Sequence, residues 1–250
     1  MKTQVRVFDD LEALSRAAAE IVAERSGRAV TGRGRFLIAL SGGGTPSRLF
    51  QLLPQQPYRD QINWAHMHVF WGDERCVAPD DAQSNYRQAW EAFLKHVPVP
   101  PENIHRVKGE LAPEEAARDY AVVLRQFAEP PLEWPRLDLV LLGMGEDGHT
   151  ASLFPGSETK ASSPTLAVRG DYQGRPAWRV TLTPRVLNTA STVAFLAAGA
   201  AKAQTLAKVL HGRRQPKDLP AQRIRPRDGE LIWLVDREAA EGLDTPETQE

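Results

Sequence analysis

The sequence is poor in cysteine, because its 250 residues include one, Cys76. A single thiol excludes an intramolecular disulfide and a metal centre built from several thiolates. Long apolar runs are also missing: the longest, Val193–Ala201, is too short to cross a bilayer. The first ten residues carry no apolar stretch behind a basic end, so no signal peptide is expected. Together these absences predict a cytosolic protein.

Neither sign of charge is in excess. The chain has 31 Lys+Arg against 32 Asp+Glu, a formal net charge of -1. This balance gives no global attraction to nucleic acid or to an anionic membrane, so neither is predicted as a partner. Any anionic ligand must instead be bound by a local group of residues. The oligomeric state stays open at this level.

Short apolar runs alternate with helical patterns along the chain. The apolar runs Phe36–Leu40 and Leu137–Gly143 predict buried strands, and the spacing of apolar residues predicts a helix over Leu11–Arg25. Further strands are predicted at 5–8, 68–70, 179–183, 192–197 and 231–235, with helices beginning near 84, at 113 and near 200. This alternation predicts an α/β fold with three layers, α/β/α, doubly wound around a mostly parallel sheet.

Nothing in the sequence divides the chain. It has no internal repeat and no Gly/Ser linker, so one domain is predicted over residues 1–240. The polar stretch Gly156–Pro176, rich in Gly, Pro and Ser, is predicted to be a long loop. The acidic tail 241–250 is predicted to fray.

A glycine loop, SGGGTP, follows the predicted strand Phe36–Leu40. Its glycines allow a sharp turn that brings backbone N–H groups close to a ligand, while Thr45 suits a helix cap and Pro46 a first turn. A helix N-terminus behind such a loop binds anions, which makes Gly42, Gly43, Gly44 and Thr45 candidate substrate ligands. A plain strand–helix turn is an equal alternative. Neither a dinucleotide motif nor a Walker loop is matched.

A second cluster, WGDER, comes directly after the predicted strand His68–Phe70. Arg75 is able to bind a phosphate or carboxylate with two parallel hydrogen bonds, or to stabilise an oxyanion. Asp73 is able to hold sugar hydroxyls or to act as a base. The alternative is a solvated cluster in which acid and base neutralise each other.

A third motif, GMGEDGHT, follows the predicted strand Leu137–Gly143 and presents Asp147 and His149 among glycines. Histidine titrates near neutral pH and is able to take a proton from water. Asp147, two residues earlier, is placed to orient the imidazole or to bind substrate. The motif therefore predicts a general base, His149, with an acidic partner.

Two weaker signals remain. Lys202 opens a predicted helix, where acids are preferred, and this conflict fits either a lysine that serves an anionic ligand or chance. His66 and His68 share a face of a predicted strand and could ligate a metal. No pattern for a third ligand accompanies them, so packing or exposure is the prediction and no metal site is expected.

Taken together, SGGGTP, WGDER with the downstream SNY, and GMGEDGHTASLFPGS resemble the 6-phosphogluconolactonase family in order and spacing. RVTLT with VLNTA, and AGAAKA, extend the resemblance to most of the chain. It implies a fold shared with glucosamine-6-phosphate deaminases and ribose-5-phosphate isomerases. It also implies hydrolysis of 6-phospho-D-glucono-1,5-lactone to 6-phosphogluconate, in the oxidative pentose phosphate pathway, without metal or coenzyme.

The resemblance assigns roles to individual residues. It implies that His149 is the catalytic histidine, with Asp147 beside it, and that Arg75 and Lys202 contact the phosphate together with the loop Gly42–Thr45.

Two rival functions stay open. In a glucosamine-6-phosphate isomerase/deaminase, Asp73 would be the base that moves a C2 proton. The second rival is a sugar-phosphate-binding regulator without catalysis. The run TASLF after His149, together with Arg75, favours the lactonase over the deaminase.

Overall fold

The computed structural model of the chain describes residues 2–157, 162–170 and 177–243. Its strands are β1 (Lys2–Phe8), β2 (Phe36–Leu40), β3 (Met67–Trp71), β4 (Asp73–Arg75), β5 (Leu139–Gly143), β6 (Thr165–Arg169), β7 (Trp178–Leu182), β8 (Thr192–Ala197) and β9 (Glu230–Asp236). Its α-helices are α1 (Leu11–Arg33), α2 (Gly44–Leu52), α3 (Tyr58–Gln61), α4 (Asn85–Ala92), α5 (Pro113–Arg125), α6 (Pro184–Leu187), α7 (Ala203–Leu210) and α8 (Arg237–Ala240). Short 3₁₀ turns lie at Trp64–His66, Leu94–His96, Pro101–Asn103, Ala200–Lys202 and Pro220–Arg223.

Six strands form the main sheet in the order β1-β9-β8-β5-β2-β3, and every neighbouring pair is parallel. Alternate strand residues face opposite layers. In β2, Leu37 and Ala39 pack with the core that includes α5 and α7, whereas Ile38 and Leu40 pack with the core that includes α1 and α2. The predicted three-layer α/β/α fold is confirmed.

A second, antiparallel sheet of three strands, in the order β4-β7-β6, was not predicted. The predicted strand Arg179–Thr183 exists as β7, but it belongs to this sheet. The prediction of one long loop over Gly156–Pro176 is wrong, because β6 (Thr165–Arg169) pairs along its whole length with β7. Residues 158–161 and 171–176 of that stretch lie outside the described residues.

Helix boundaries differ from the predictions at two places. α1 continues past Arg25 to Arg33 and ends at Gly34, whose φ of 71° suits a left-handed C-terminal cap. The helix expected from about Ala200 begins as a 3₁₀ turn, Ala200–Lys202, and becomes α-helical at Ala203. None of the described helices is both long and apolar enough to cross a membrane.

The C-terminal end is described as far as Leu243, which packs against the core. Fraying was predicted over 241–250, and residues 244–250 of that tail lie outside the described residues.

Parallel pairing brings the carboxyl ends of four strands to one edge of the main sheet. The glycine loop leaves β2 there, Asp73 follows β3, the His149 motif follows β5, and Lys202 follows β8. Open α/β sheets bind ligands outside the carboxyl ends of their strands. The predicted site residues, which span about 160 positions of sequence, therefore converge on one place.

Candidate active site

A cavity of about 230 Å³ lies at this edge of the main sheet. It is lined by the predicted residues Gly42, Gly43, Gly44, Thr45, Asp73, Arg75, His149 and Lys202, and Asp147 stands behind His149. Its wall also includes Asn85, Glu146, Phe154 and Arg179, which the sequence did not single out. The volume suits a small metabolite better than a dinucleotide.

The glycine loop enters α2 differently from the prediction. Gly43, with φ 107°, is the residue before the helix, so Thr45 and Pro46 lie inside the first turn and no side chain caps it. The Gly43 N–H donates to Gln88 Oε1 at 3.0 Å. The expectation that the whole loop offers its amides is therefore corrected for Gly43, whose N–H is already paired within the protein. The N–H groups of Gly44 and Thr45 lie in the first turn of α2, at the positive end of the helix dipole.

Asp73 lies on β4 with 6% of its surface exposed. Its Oδ2 accepts a hydrogen bond from Ser152 Oγ at 2.6 Å, which ties the end of β3 to the segment after His149. One carboxylate edge is thus fixed while the residue lines the cavity. This arrangement replaces the alternative of a solvated cluster, because Asp73 is buried.

Glu74 points away from solvent and is 2% exposed. Its carboxylate accepts hydrogen bonds from the N–H groups of Arg75, Asn85 and Tyr86 and from Ser84 Oγ, at 2.7 to 3.1 Å. Burial raises the pKa of Glu74 and these backbone hydrogen bonds oppose the rise. Glu74 therefore caps the start of α4 and joins it to the strand that carries Arg75.

Arg75 reaches across to α4. Its guanidinium donates to Gln83 O at 2.9 Å and to Asn85 Oδ1, while Asn85 Nδ2 donates to the Asp73 carbonyl at 2.9 Å. The arginine is thus held at a defined position in the cavity wall rather than paired with a carboxylate.

His149 and Asp147 form a hydrogen-bonded pair, with 2.6 Å between Nδ1 and Asp147 Oδ1. Burial raises the pKa of Asp147, but the hydrogen bond and charge of His149 outweigh it, and the pKa lies below its usual value. The lowered pKa favours the carboxylate form of Asp147, which can only accept a hydrogen bond, so Nδ1 of His149 is the donor in this pair.

One contact with a glycine and one with an aromatic ring fix the position of the His149 ring. A Cβ on Gly145 would lie 2.0 Å from Nδ1, so no larger residue fits there, and the Phe154 ring packs with its centroid 5.2 Å from that of His149. The orientation of the imidazole is therefore set by packing as well as by Asp147.

Arg179 is the functional candidate that sequence reasoning missed. It is 4% exposed, lies over the Phe154 ring at 5.8 Å, and stands directly opposite Arg75 in the β4–β7 register. Like charges opposite each other in a sheet destabilise it. Two opposed arginines make this side of the cavity cationic. A buried cation inside the otherwise apolar strand RVTL was the available signal.

Lys202 completes this cationic wall. Its side chain is 19% exposed and its Nζ lies 4.0 Å from Glu146 Oε1, a long contact. Thr205 Oγ1 donates to the Glu146 carbonyl at 2.5 Å and so links the start of α7 to the His149 motif.

His66 and His68, for which packing or exposure was predicted, do not lie together on one strand face. His66 lies in a 3₁₀ turn before β3, not on the strand, and His68 Nδ1 lies 3.1 Å from His105 Nε2. Within 2–157, 162–170 and 177–243, no group of three or more His, Cys, Asp or Glu is placed to hold a metal ion.

Residues 9–233 match the family model described as glucosamine-6-phosphate isomerases/6-phosphogluconolactonase. The chain belongs to this family. It is 40% identical over 245 residues to a 6-phosphogluconolactonase of Synechocystis, covering 97% of this chain and 99% of that one. A 6-phosphogluconolactonase structure from Trypanosoma brucei superposes with a TM-score of 0.84 at 30% identity, covering 97% and 99%.

A monomeric glucosamine-6-phosphate deaminase superposes with a TM-score of 0.81 at 22% identity, covering 97% of this chain and 100% of that one. At this identity the likeness concerns the fold alone. Both activities named for the glucosamine-6-phosphate isomerase/6-phosphogluconolactonase family therefore occur on the fold of this chain, and the arrangement of the site has to distinguish between them.

Proposed function

We propose that this chain hydrolyses 6-phospho-D-glucono-1,5-lactone to 6-phosphogluconate, a step of the oxidative pentose phosphate pathway. One observation carries the proposal: a single cavity is lined by a histidine with a carboxylate partner, by three cationic side chains and by a glycine loop. The activity named for the relative at 40% identity supports the same reaction.

In this proposal the phosphate docks on the cationic wall. Arg75, Arg179 and Lys202 supply the charge, and the N–H groups of Gly44 and Thr45 supply hydrogen bonds at the positive end of α2. Asp73, held by Ser152, accepts a hydrogen bond from a sugar hydroxyl. Binding the unreactive phosphate end fixes the lactone carbonyl near His149 and lowers the entropic barrier.

His149 then acts as general base. Its Nε2 removes a proton from water as the water oxygen attacks C1 of the lactone, and the electron pair of the C=O bond moves onto oxygen. Asp147 stabilises the imidazolium formed in this step. When the tetrahedral intermediate collapses, the bond between C1 and the ring oxygen breaks. His149 returns its proton to that oxygen, which becomes a hydroxyl.

The deaminase reading uses the same cavity with Asp73 as base. In this structure Asp73 Oδ2 already accepts a hydrogen bond from Ser152, and the acid–base pair with a basic nitrogen is Asp147 with His149. The geometry therefore favours proton transfer to His149. Lactone hydrolysis requires such a transfer, because a base has to take a proton from the attacking water.

The test is a direct comparison of products. Lactone is made freshly, spontaneous hydrolysis is subtracted, and formation of 6-phosphogluconate by the purified protein is followed. In parallel, ammonia release from glucosamine 6-phosphate is measured. Accelerated lactone opening without ammonia release is expected. Ammonia release without lactone acceleration would replace the proposal by the deaminase, and neither activity would favour a binding protein without catalysis.

A further inference from the structure

One side chain is hydrogen-bonded to both backbone groups of Gly43, its N–H and its carbonyl. The Gly43 N–H donates to Gln88 Oε1 at 3.0 Å, and Gln88 Nε2 donates to the Gly43 carbonyl at 2.6 Å. The same Nε2 lies 2.5 Å from Ser47 Oγ, whose hydroxyl donates to the Gly43 carbonyl at 3.1 Å. The amide thus pairs with Gly43 as a neighbouring strand would.

This peptide needs an external partner. Gly43 has φ 107° and ψ -177°, a conformation open to glycine and to few other residues. From α2 itself, Ser47 Oγ donates to the Gly43 carbonyl, but the Gly43 N–H is held by Gln88 on α4. A glycine is free to leave that conformation at little cost. The residues that follow directly are Gly44 and Thr45, whose N–H groups face the proposed phosphate.

The surface that presents Gln88 is itself fixed. Asn85, one turn earlier on the same face of α4, lies where a Cβ of Gly42 would be, 1.7 Å from its Oδ1. The start of α4 is capped by the buried carboxylate of Glu74. Through Asn85 and Gln88, α4 therefore contacts two successive glycines of the loop.

We infer that Gln88 is a positioning residue that sets the affinity of this site for phosphate by holding Gly43. The inference rests on the proposed function, because it assigns the loop to the substrate's phosphate. Gln88 does not line the substrate cavity; it lines a neighbouring cavity behind Gly43 and Gly44. It acts through the backbone and not by touching the lactone.

The test replaces Gln88 by methionine, which keeps the size and helix preference of the side chain and removes its two hydrogen bonds to Gly43 and the one to Ser47. KM for the phosphorylated lactone is expected to rise roughly tenfold, the worth of two neutral hydrogen bonds, with kcat within about threefold of wild type. The inhibition constant of inorganic phosphate, used as a competitive inhibitor, should rise by a similar factor. Gln51→Met on the exposed side of α2 is the matched control and should change neither constant.

The outcomes separate the two proposals. If wild type accelerates lactone opening and phosphate inhibits it, the proposed function stands, and the Gln88→Met result judges the inference by itself. A variant with lowered kcat and unchanged KM and phosphate inhibition would overturn the positioning role, because loss of folded protein alone gives that result. A wild type without lactonase activity would remove the proposed function, and the inference with it.

Discussion

Two side-chain pairs that contain histidine, His149 with Asp147 and His68 with His105, have different surroundings. His149 lies at the cavity beside an ionised carboxylate, with Asp147 Oδ1 2.6 Å from Nδ1. His68 and His105 stack on each other, with ring centroids 5.4 Å apart, and Phe127 packs edge-on to both.

The difference shows what a proton-transferring histidine needs. Burial lowers the pKa of His105 to about 4, with His68 adding to the shift, and burial also lowers the pKa of His68. No acid among the described residues compensates the cost of charging these two rings, and burial favours their neutral form. The two rings lie where β3 meets the segment at Ile104. The carboxylate and the open cavity distinguish the His149 pair as the one suited to catalysis.

The largest expected effect is at His149. His149→Ala should lower kcat for the lactone by roughly 10²–10⁴-fold, the usual contribution of a general base. Steady-state kinetics with subtraction of spontaneous hydrolysis measures this. His211→Ala, an exposed histidine at the end of α7, is the control and should keep wild-type kcat. A His149→Ala enzyme with more than about half of wild-type kcat would remove His149 from the mechanism.

Asp147→Asn should have the next largest effect. The side chain keeps its shape but loses the charge that stabilises the imidazolium, so kcat should fall by roughly 10–10³-fold with a smaller change in KM. The same assay applies, with the exposed Asp218→Asn as control. An unchanged kcat would mean that Asp147 merely orients the loop.

Arg179→Met should act on binding instead of on chemistry. Removal of one of the two opposed arginines at the cavity wall should raise KM for the lactone by about tenfold or more, since a charge-assisted contact is lost. Arg185→Met, an exposed arginine on α6, is the matched control. If KM stays at the wild-type value, Arg179 has no part in binding the phosphate.

The smallest expected effect concerns His68 and His105, and it is measured as the pH dependence of the free energy of unfolding. Because the folded-state pKa of His105 lies below its unfolded value of 6.5, the unfolded chain binds more protons as the pH falls. This contribution to stability is fully present above pH 6.5 and is lost toward pH 4. After a discount for partial exposure it amounts to about 1–2 kcal/mol.

Thermal unfolding between pH 7 and pH 4 measures that loss. His105→Gln should flatten the acid decrease in Tm by a few degrees relative to wild type, while kcat at neutral pH stays unchanged. His211→Gln should follow the wild-type curve. Identical curves for wild type and His105→Gln would mean that His105 is not buried as a neutral group in solution.

Local patterns predicted much of this fold. The boundaries of β2 and β8 agree with the apolar runs Phe36–Leu40 and Thr192–Ala197, and α5 begins at Pro113 as its proline and following acids indicate. These signals are readable because they depend on the residues of one segment. Short strands such as β4 and β6 escaped prediction because their stability comes from a partner distant in the sequence.

For the candidate site the division is similar. The glycine loop, the DER cluster and the histidine motif stand out in the sequence because each has a distinctive local composition at a strand end. Arg179 and Gln88 do not, since one looks like a residue of an ordinary strand and the other like a residue of an exposed helix. Their proposed roles depend on their neighbours in the folded chain: Arg179 lies opposite Arg75, and Gln88 is hydrogen-bonded to Gly43.

By itself, then, the sequence determined the layered α/β fold and the chemical groups at four strand ends, because periodicity and glycine placement are local properties. The tertiary structure alone decided which groups share a cavity and which amide of the glycine loop is already occupied. It also decided which histidine pair has an acidic partner. Those properties depend on distances between segments, and the backbone sets such distances only when the sheet has assembled.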